Sequence, residues 1–110
     1  MKNAIIYARS ATFNKDSLHT QIVLCKKFAA DNGYKVIRVF IDTNASGRSV
    51  KRPALHNLFK EINSHGWETV IILNYSCFFK NTYQYIKYMQ KLNLAGKRII
   101  IALEQKEILQ

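Results

Sequence analysis

The chain has 110 residues, a formal net charge of +10 and 48% hydrophobic residues. This length fits a single domain, and such a large apolar share excludes a disordered basic tail. Its longest apolar runs have four or five residues, far fewer than the roughly 18 to 20 of a membrane-spanning helix. We therefore expect no membrane partner. The excess positive charge favours an anionic partner, most often nucleic acid.

The two cysteines, Cys25 and Cys77, are too few for a disulfide scaffold, and both lie among apolar residues. We interpret them as reduced thiols of a cytosolic protein, which predicts a cytoplasmic location. They have no second pair at zinc-ligand spacing, and the N-terminal residues do not resemble a signal peptide.

Strand and helix patterns alternate in the first half of the chain. An apolar run over residues 3–8 predicts a buried strand. Asp16 or Ser17 can cap the helix that follows, and Asn32-Gly33 is typical of a helix end. Residues 34–41 predict a second strand and residues 42–51 a polar loop. The apolar face of the helix comprises Leu18, Ile22, Cys25 and Ala29.

The same alternation continues in the second half. Pro53 suits the first turn of a helix, and we expect that helix to end at Gly66. Residues 69–73 predict a strand buried on both faces. A further helix follows Asn81 and stops at Gly96, and residues 98–103 predict a fourth strand. The apolar positions of the two helices are Leu55, Leu58, Phe59 and Ile62, then Ile86, Met89 and Leu92.

This β-α-β-α-β-α-β order predicts an α/β fold of three layers, with a mostly parallel four-stranded sheet and helices on both faces. Residues 1–110 form one predicted domain, because no linker, repeat or low-complexity segment interrupts the pattern. In such sheets the functional loops gather at the carboxyl ends of the strands.

Cations cluster in these predicted strand-end loops. Arginines that converge there suit a phosphate, because each guanidinium offers a planar pair of hydrogen bonds. The alternative for any single cation is an ordinary solvated loop charge. A solvated loop charge does not suit Arg9, because it directly follows an apolar strand, where a charge is costly without a partner. The candidate phosphate-binding residues are Arg9, Arg48, Lys51, Arg52 and Lys80.

Several common sites are excluded. The four glycines are isolated, so they form no phosphate-binding glycine loop. The histidines are scattered, and neither a metal-ligand cluster nor a serine-hydrolase motif is present. We therefore expect neither a metal nor a cofactor.

Five short motifs, in order and with matching gaps, give the chain a family resemblance. It resembles the N-terminal catalytic domain of the serine site-specific recombinases, the resolvase and invertase group. The matching segments are Tyr7-Ala8-Arg9, Ser17-Leu18 with Gln21, Gly33-Tyr34 with the strand to Asp42, Ser46-Gly47, and Arg52-Pro53 with Leu55.

The resemblance implies DNA strand exchange through a covalent phosphoserine, without a metal, by oligomers that act in DNA recombination and the integration of mobile elements. It implies that arginines stabilise charge on the phosphoryl group. It also implies that this domain precedes a dimerisation helix and a DNA-binding domain, which we expect to be absent from this chain. The catalytic candidates are Arg9, Ser10, Gln21, Asp42 and Arg52.

The chain departs from the family at the residues that perform the chemistry. Ala11 occupies the position of the nucleophilic serine, and Ser10 lies one residue early, where an extended segment would turn it to the opposite face. The family's Asp-Arg-Leu-x-Arg is replaced here by residues 76–80, in which Ser76, Cys77 and Lys80 stand for the acid and the two arginines. Cys77 has two interpretations, a substitute nucleophile and a packed thiol. Its two neighbouring phenylalanines favour the packed thiol.

Three hypotheses remain. The leading one is a resolvase-like domain that has lost cleavage chemistry but still binds DNA phosphates or pairs with recombinase subunits, as a homo- or hetero-oligomer. The second is an active recombinase that uses Ser10. The third is a protein-interaction module without a DNA role, suggested by the late aromatic residues Tyr83, Tyr85 and Tyr88 beside Phe78 and Phe79.

Overall fold

Parallel strands form the centre of the structure, a computed structural model that describes residues 2–10, 14–43 and 52–108. The described elements are β1 (Lys2–Arg9), α1 (Lys15–Asp31), β2 (Tyr34–Asp42), α2 (Pro53–Lys60), β3 (Thr69–Ile72), α3 (Tyr75–Phe78), α4 (Thr82–Leu94), β4 (Arg98–Ile101) and β5 (Lys106–Glu107). The strand order is β2-β1-β3-β4-β5. The first four strands are parallel, and β5 pairs antiparallel with β4.

The two faces of the sheet follow from alternation along β1. Ala4 and Ile6 pack with Cys25 and Ala29 of α1 on one face. Ile5 and Tyr7 belong to the larger cluster on the other face, because neighbouring side chains of a strand point to opposite sides. Helices therefore cover both faces, as the sequence predicts. The larger cluster is completed by residues of α2, α3 and α4, among them Leu58, Phe78, Met89 and Leu92.

Several predicted boundaries are wrong. Asn14, rather than Asp16 or Ser17, caps α1, and its side chain accepts a hydrogen bond from the Ser17 N–H. Helix α2 ends at Lys60, well before Gly66. The fourth strand ends at Ile101 instead of residue 103, and the sheet has a fifth strand that the sequence did not indicate. The ends of α1 and α4 are close to prediction, since Gly33 and Gly96 both adopt positive φ.

The short helix α3 was not predicted, and it directs two phenylalanines inward. Phe78 is fully buried and Phe79 nearly so. Their rings contact one another at 4.9 Å between centroids, and Phe79 contacts Tyr85 at 5.0 Å. The aromatic residues that suggested a protein-interaction module are thus partly core, and among them Tyr83 alone, at 71%, is largely exposed.

No helix in the described ranges is both long and apolar enough to cross a bilayer. Within the same ranges, no group of three or more His, Cys, Asp or Glu side chains lies close enough to hold a metal ion.

Candidate functional site

A polar cavity of about 580 Å³ lies at the carboxyl ends of β1 and β3, beside the start of α1. Its size is within the range of ligand-binding clefts. Strand ends, the first turns of α1 and the α3 segment all contribute to its wall. The residues that line it include Arg9, Ser10, Asp16, Ser17, Gln21, Asn74, Ser76 and Cys77.

Gln21 fixes the end of β1. Its side-chain amide accepts a hydrogen bond from the Arg9 N–H at 3.1 Å and donates to the Arg9 carbonyl at 2.9 Å. The same Oε1 accepts from the Cys77 thiol at 3.2 Å. One buried amide from α1 therefore positions both the last residue of β1 and the α3 segment. This supports a positioning role for Gln21, while its predicted catalytic role stays a prediction.

Arg9 is the half-buried cation of the cavity. Its guanidinium donates to the carbonyl of Ser76 at 2.5 Å and to that of Cys77 at 3.3 Å. Burial and the nearby positive charge of Arg52 lower the pKa of Arg9. An incoming anion would relieve this repulsion, because an opposite charge stabilises the charged form.

Ser10 follows β1 and lies at the wall of the same cavity. Its backbone N–H donates to the Asp42 carbonyl at 3.0 Å, which extends the β1–β2 pairing by one residue. The residue is 8% exposed. Its hydroxyl makes no hydrogen bond to any residue in the part of the chain that the structure describes. The structure thus brings Ser10 beside Arg9, while Ala11 lies outside the described residues.

Asp42 is buried and forms hydrogen bonds with the first turn of α2. Its carboxylate accepts from the backbone N–H groups of Ala54 at 2.8 Å and Leu55 at 3.0 Å. These are N-terminal donors of α2 that the helix itself leaves unpaired. Arg52, the cap residue of α2, makes no capping bond with its own side chain. Asp42, the last residue of β2, therefore caps α2 with its side chain.

The Tyr7 hydroxyl connects Asp42 to Arg52. It donates to the Asp42 carboxylate at 2.6 Å and accepts from Arg52 Nε at 3.2 Å and Nη2 at 3.1 Å. Burial and the adjacent Asp42 carboxylate raise the pKa of Tyr7, outweighing the opposite effect of Arg52. The hydroxyl therefore stays protonated and remains the donor to Asp42.

Arg52 is buried, with 6% of its surface exposed. Besides Tyr7, it donates from Nη1 to the Phe78 carbonyl and from Nη2 to the Cys77 carbonyl, both at 3.1 Å. It is absent from the described residues that line the cavity. Its assignment as a phosphate ligand stays a prediction, and the structure places its donors on groups of the domain itself.

The residues that replace the family's acid and first arginine are neutral. Asn74 caps α3 by accepting from the Cys77 N–H at 3.2 Å and from the Ser76 hydroxyl at 2.7 Å. Burial raises the pKa of the Cys77 thiol, which is 5% exposed. A protonated, buried thiol is a poor nucleophile, so the geometry favours the packed-thiol interpretation of Cys77.

Lys80 is exposed, just beyond α3. Slight burial and the positive charges of Arg9 and Arg52 lower its pKa. The other two candidate phosphate ligands, Arg48 and Lys51, lie outside the described residues.

Two site residues were missed by the sequence reasoning. Tyr7 is the one aromatic residue in an aliphatic strand, and a buried tyrosine hydroxyl needs a hydrogen-bond partner. That was a usable signal for the Tyr7–Asp42 contact. Asn74 carries a cap signal of the same kind, an asparagine before a short helix, but a helix of four residues has no periodicity to detect.

Both the sequence and the fold of the chain are similar to those of known proteins. A family model described as "Resolvase, N terminal domain" matches residues 4–108. No curated protein sequence matches the chain. Among solved structures, it is similar to the C-terminal catalytic domain of ISC1926 TnpA, described as an IS607-like serine recombinase. That match has 30% identity and a TM-score of 0.80, and covers 91% of this chain and 67% of that one.

Two further structures are similar in fold. The N-terminal catalytic domain of TP901-1 integrase has 22% identity and a TM-score of 0.87, and the match covers 96% of this chain and 82% of that one. A resolvase family site-specific recombinase from Streptococcus pneumoniae has 23% identity and a TM-score of 0.85, with 97% and 76% covered.

Proposed function

Because the chain belongs to the resolvase N-terminal domain family, we propose that it is a recombinase domain that binds DNA phosphates but does not form a phosphoserine bond. The observation that carries this proposal is the composition of the cavity. It keeps one half-buried cation, Arg9, with the exposed Asp16 and neutral polar residues in its walls. The nucleophile position is Ala11, and the acid and arginine positions hold Ser76 and Cys77.

Strand cleavage needs a nucleophile and several positive groups around the phosphoryl oxygens in the transition state. A methyl group cannot attack phosphorus, and the Cys77 thiol is protonated and buried. Lys80 keeps a charge at the second arginine position but lacks the two-pronged geometry of a guanidinium. These losses reduce catalysis more than they reduce binding.

Phosphate binding relies on fewer groups. Arg9 lines the cavity and already donates to backbone carbonyls, which a phosphate oxygen can replace as a stronger, charged acceptor. Lys80 lies nearby on the surface, and Arg48 and Lys51 add charge from the segment between β2 and α2. We propose non-specific DNA binding through these residues, in a homo- or hetero-oligomer with recombinase subunits.

One observation favours a second candidate function, cleavage by Ser10. Ser10 lines the cavity that contains Arg9, and its hydroxyl has no hydrogen-bond partner among the described residues. In this version the Ser10 hydroxyl oxygen bonds to phosphorus in place of the missing serine at position 11. The bond from phosphorus to the 3′ oxygen breaks, and the leaving 3′ oxygen takes up a proton in exchange for the one that serine loses.

A covalent-trapping experiment separates the two functions. The protein is incubated with a library of supercoiled plasmids carrying random inserts, denatured with detergent, and tested for protein that remains linked to DNA. We expect no adduct with the unmodified chain. An adduct that disappears in Ser10→Ala would establish the second function instead. The third hypothesis, a module without a DNA role, predicts no binding to a fluorescent duplex even at low salt.

A further inference from the structure

We propose that Arg52 is a positioning residue that fastens α3 to the sheet, and that it does not bind phosphate itself. The role of Arg52 at α3 is independent of the proposed function. The second half of the inference, that Arg52 does not bind phosphate, rests on the proposed function. The family resemblance predicts two equivalent arginines, Arg9 and Arg52, whereas their surroundings in this chain differ.

The contacts of Arg52 leave it little capacity for a ligand. All three nitrogens of its guanidinium donate within the domain. Nε and Nη2 donate to the Tyr7 hydroxyl, and Nη1 and Nη2 donate to carbonyls of α3. Four of its five N–H groups are therefore used, since a guanidinium has five donors. With 6% of its surface exposed, Arg52 offers a phosphate almost no accessible surface.

Arg52 also connects elements that are distant in sequence. Through Tyr7 its charge is linked to Asp42, which holds the start of α2. Thus the two residues that flank the segment between β2 and α2, Asp42 and Arg52, meet at one hydroxyl of β1. The carbonyls of Cys77 and Phe78 attach α3 to the same point.

Helix α3 depends on such attachment because it has only four residues. An isolated helix of this length is not stable in water. The aromatic contacts of Phe78 and Phe79 hold its C-terminal side, and the Asn74 cap holds its N-terminal side. The carbonyls between them are held by arginines, Arg9 from the cavity side and Arg52 from the interior.

The two free cysteines provide an internal measurement of α3 release. Cys77 lies on α3, and Cys25 lies fully buried on α1. Local release of α3 exposes Cys77 alone, whereas global unfolding exposes both thiols. Mass spectrometry follows the alkylation of each thiol in the unmodified chain and in the Arg52→Met and Arg52→Lys variants. The reactions are run at neutral pH without denaturant. Arg98→Met, an exposed arginine at the opposite end of the sheet, is the matched control.

We expect Arg52→Met to raise the alkylation rate of Cys77 roughly tenfold or more, with Cys25 unchanged, because hydrogen bonds from a charged donor are lost. Arg52→Lys should not restore protection, since an ammonium cannot reach Tyr7 and two carbonyls at once. Three results would each overturn the positioning role. They are an equal rise in the alkylation rates of both cysteines in Arg52→Met, an unchanged alkylation rate of Cys77 in Arg52→Met, and full protection of Cys77 in Arg52→Lys.

The second half is tested by duplex DNA binding at several salt concentrations. Each phosphate contact contributes about 0.9 to the slope of log affinity against log salt. We expect Arg52→Met to keep the slope of the unmodified chain. A slope reduced by about 0.9 would make Arg52 a phosphate ligand and overturn this half. If the unmodified chain itself fails to bind, the proposed function fails, and the alkylation result still decides the role at α3.

Discussion

Both cysteines are buried, Cys25 completely and Cys77 with 5% of its surface exposed. Burial raises the pKa of Cys25 from 9.0 to about 12, and the pKa of Cys77 also rises. Both thiols are therefore protonated in the folded protein at neutral pH. Burial outweighs the charges of Arg9 and Arg52, which act to lower the pKa of Cys77, as in reactive cysteines.

This shift predicts how the free energy of unfolding depends on alkaline pH. Above about pH 9 the thiol of Cys25 ionises in the unfolded chain but not in the folded one, so stability falls as pH rises toward 12. Cys25 alone contributes about 1.4 kcal/mol per pH unit over this range. Urea unfolding of Cys25→Ala should show a decline that is shallower by that amount. An identical decline in both proteins would contradict the assigned pKa.

At the scale of the elements, the sequence predicts the central strands well because their apolar runs are buried on both faces. Residues 69–72 are an example, since all four are fully buried. Strand β5 was missed because two polar residues, Lys106 and Glu107, carry no such pattern. The burial of Arg52 could not be predicted, because its carbonyl partners are 25 and 26 residues away in sequence and belong to an unpredicted helix.

The caps of α1 and α2 give a prediction at this scale. Asn14 caps α1 locally, so Asn14→Ala should lower the free energy of unfolding by about 1 kcal/mol. Asp42→Ala should cost more, about 3–5 kcal/mol, because it leaves the buried Arg52–Tyr7 pair without its carboxylate as well as uncapping α2. Urea unfolding of both variants measures the difference. Equal losses would show that Asp42 is no more than a cap.

At the scale of the whole molecule, the charge of +10 is distributed over many elements, and part of it collects at one end of the sheet. There, burial and the charge of Arg52 lower the pKa of Arg9, and burial and the charges of Arg9 and Arg52 lower the pKa of Lys80. A fold that tolerates this repulsion gains from an anion at the same place. The charge therefore supports DNA binding at the carboxyl end of the sheet, while the residues at positions 11, 76 and 77 argue against cleavage.

Arg9 is the residue that we propose binds a DNA phosphate in this cavity. The most direct measurement is the affinity of the unmodified chain and of Arg9→Met for a fluorescent duplex across a salt series. We predict salt-dependent binding by the unmodified chain, and in Arg9→Met weaker binding with a slope reduced by about 0.9. An unchanged slope and affinity in Arg9→Met, with Arg98→Met as the control, would contradict the claim.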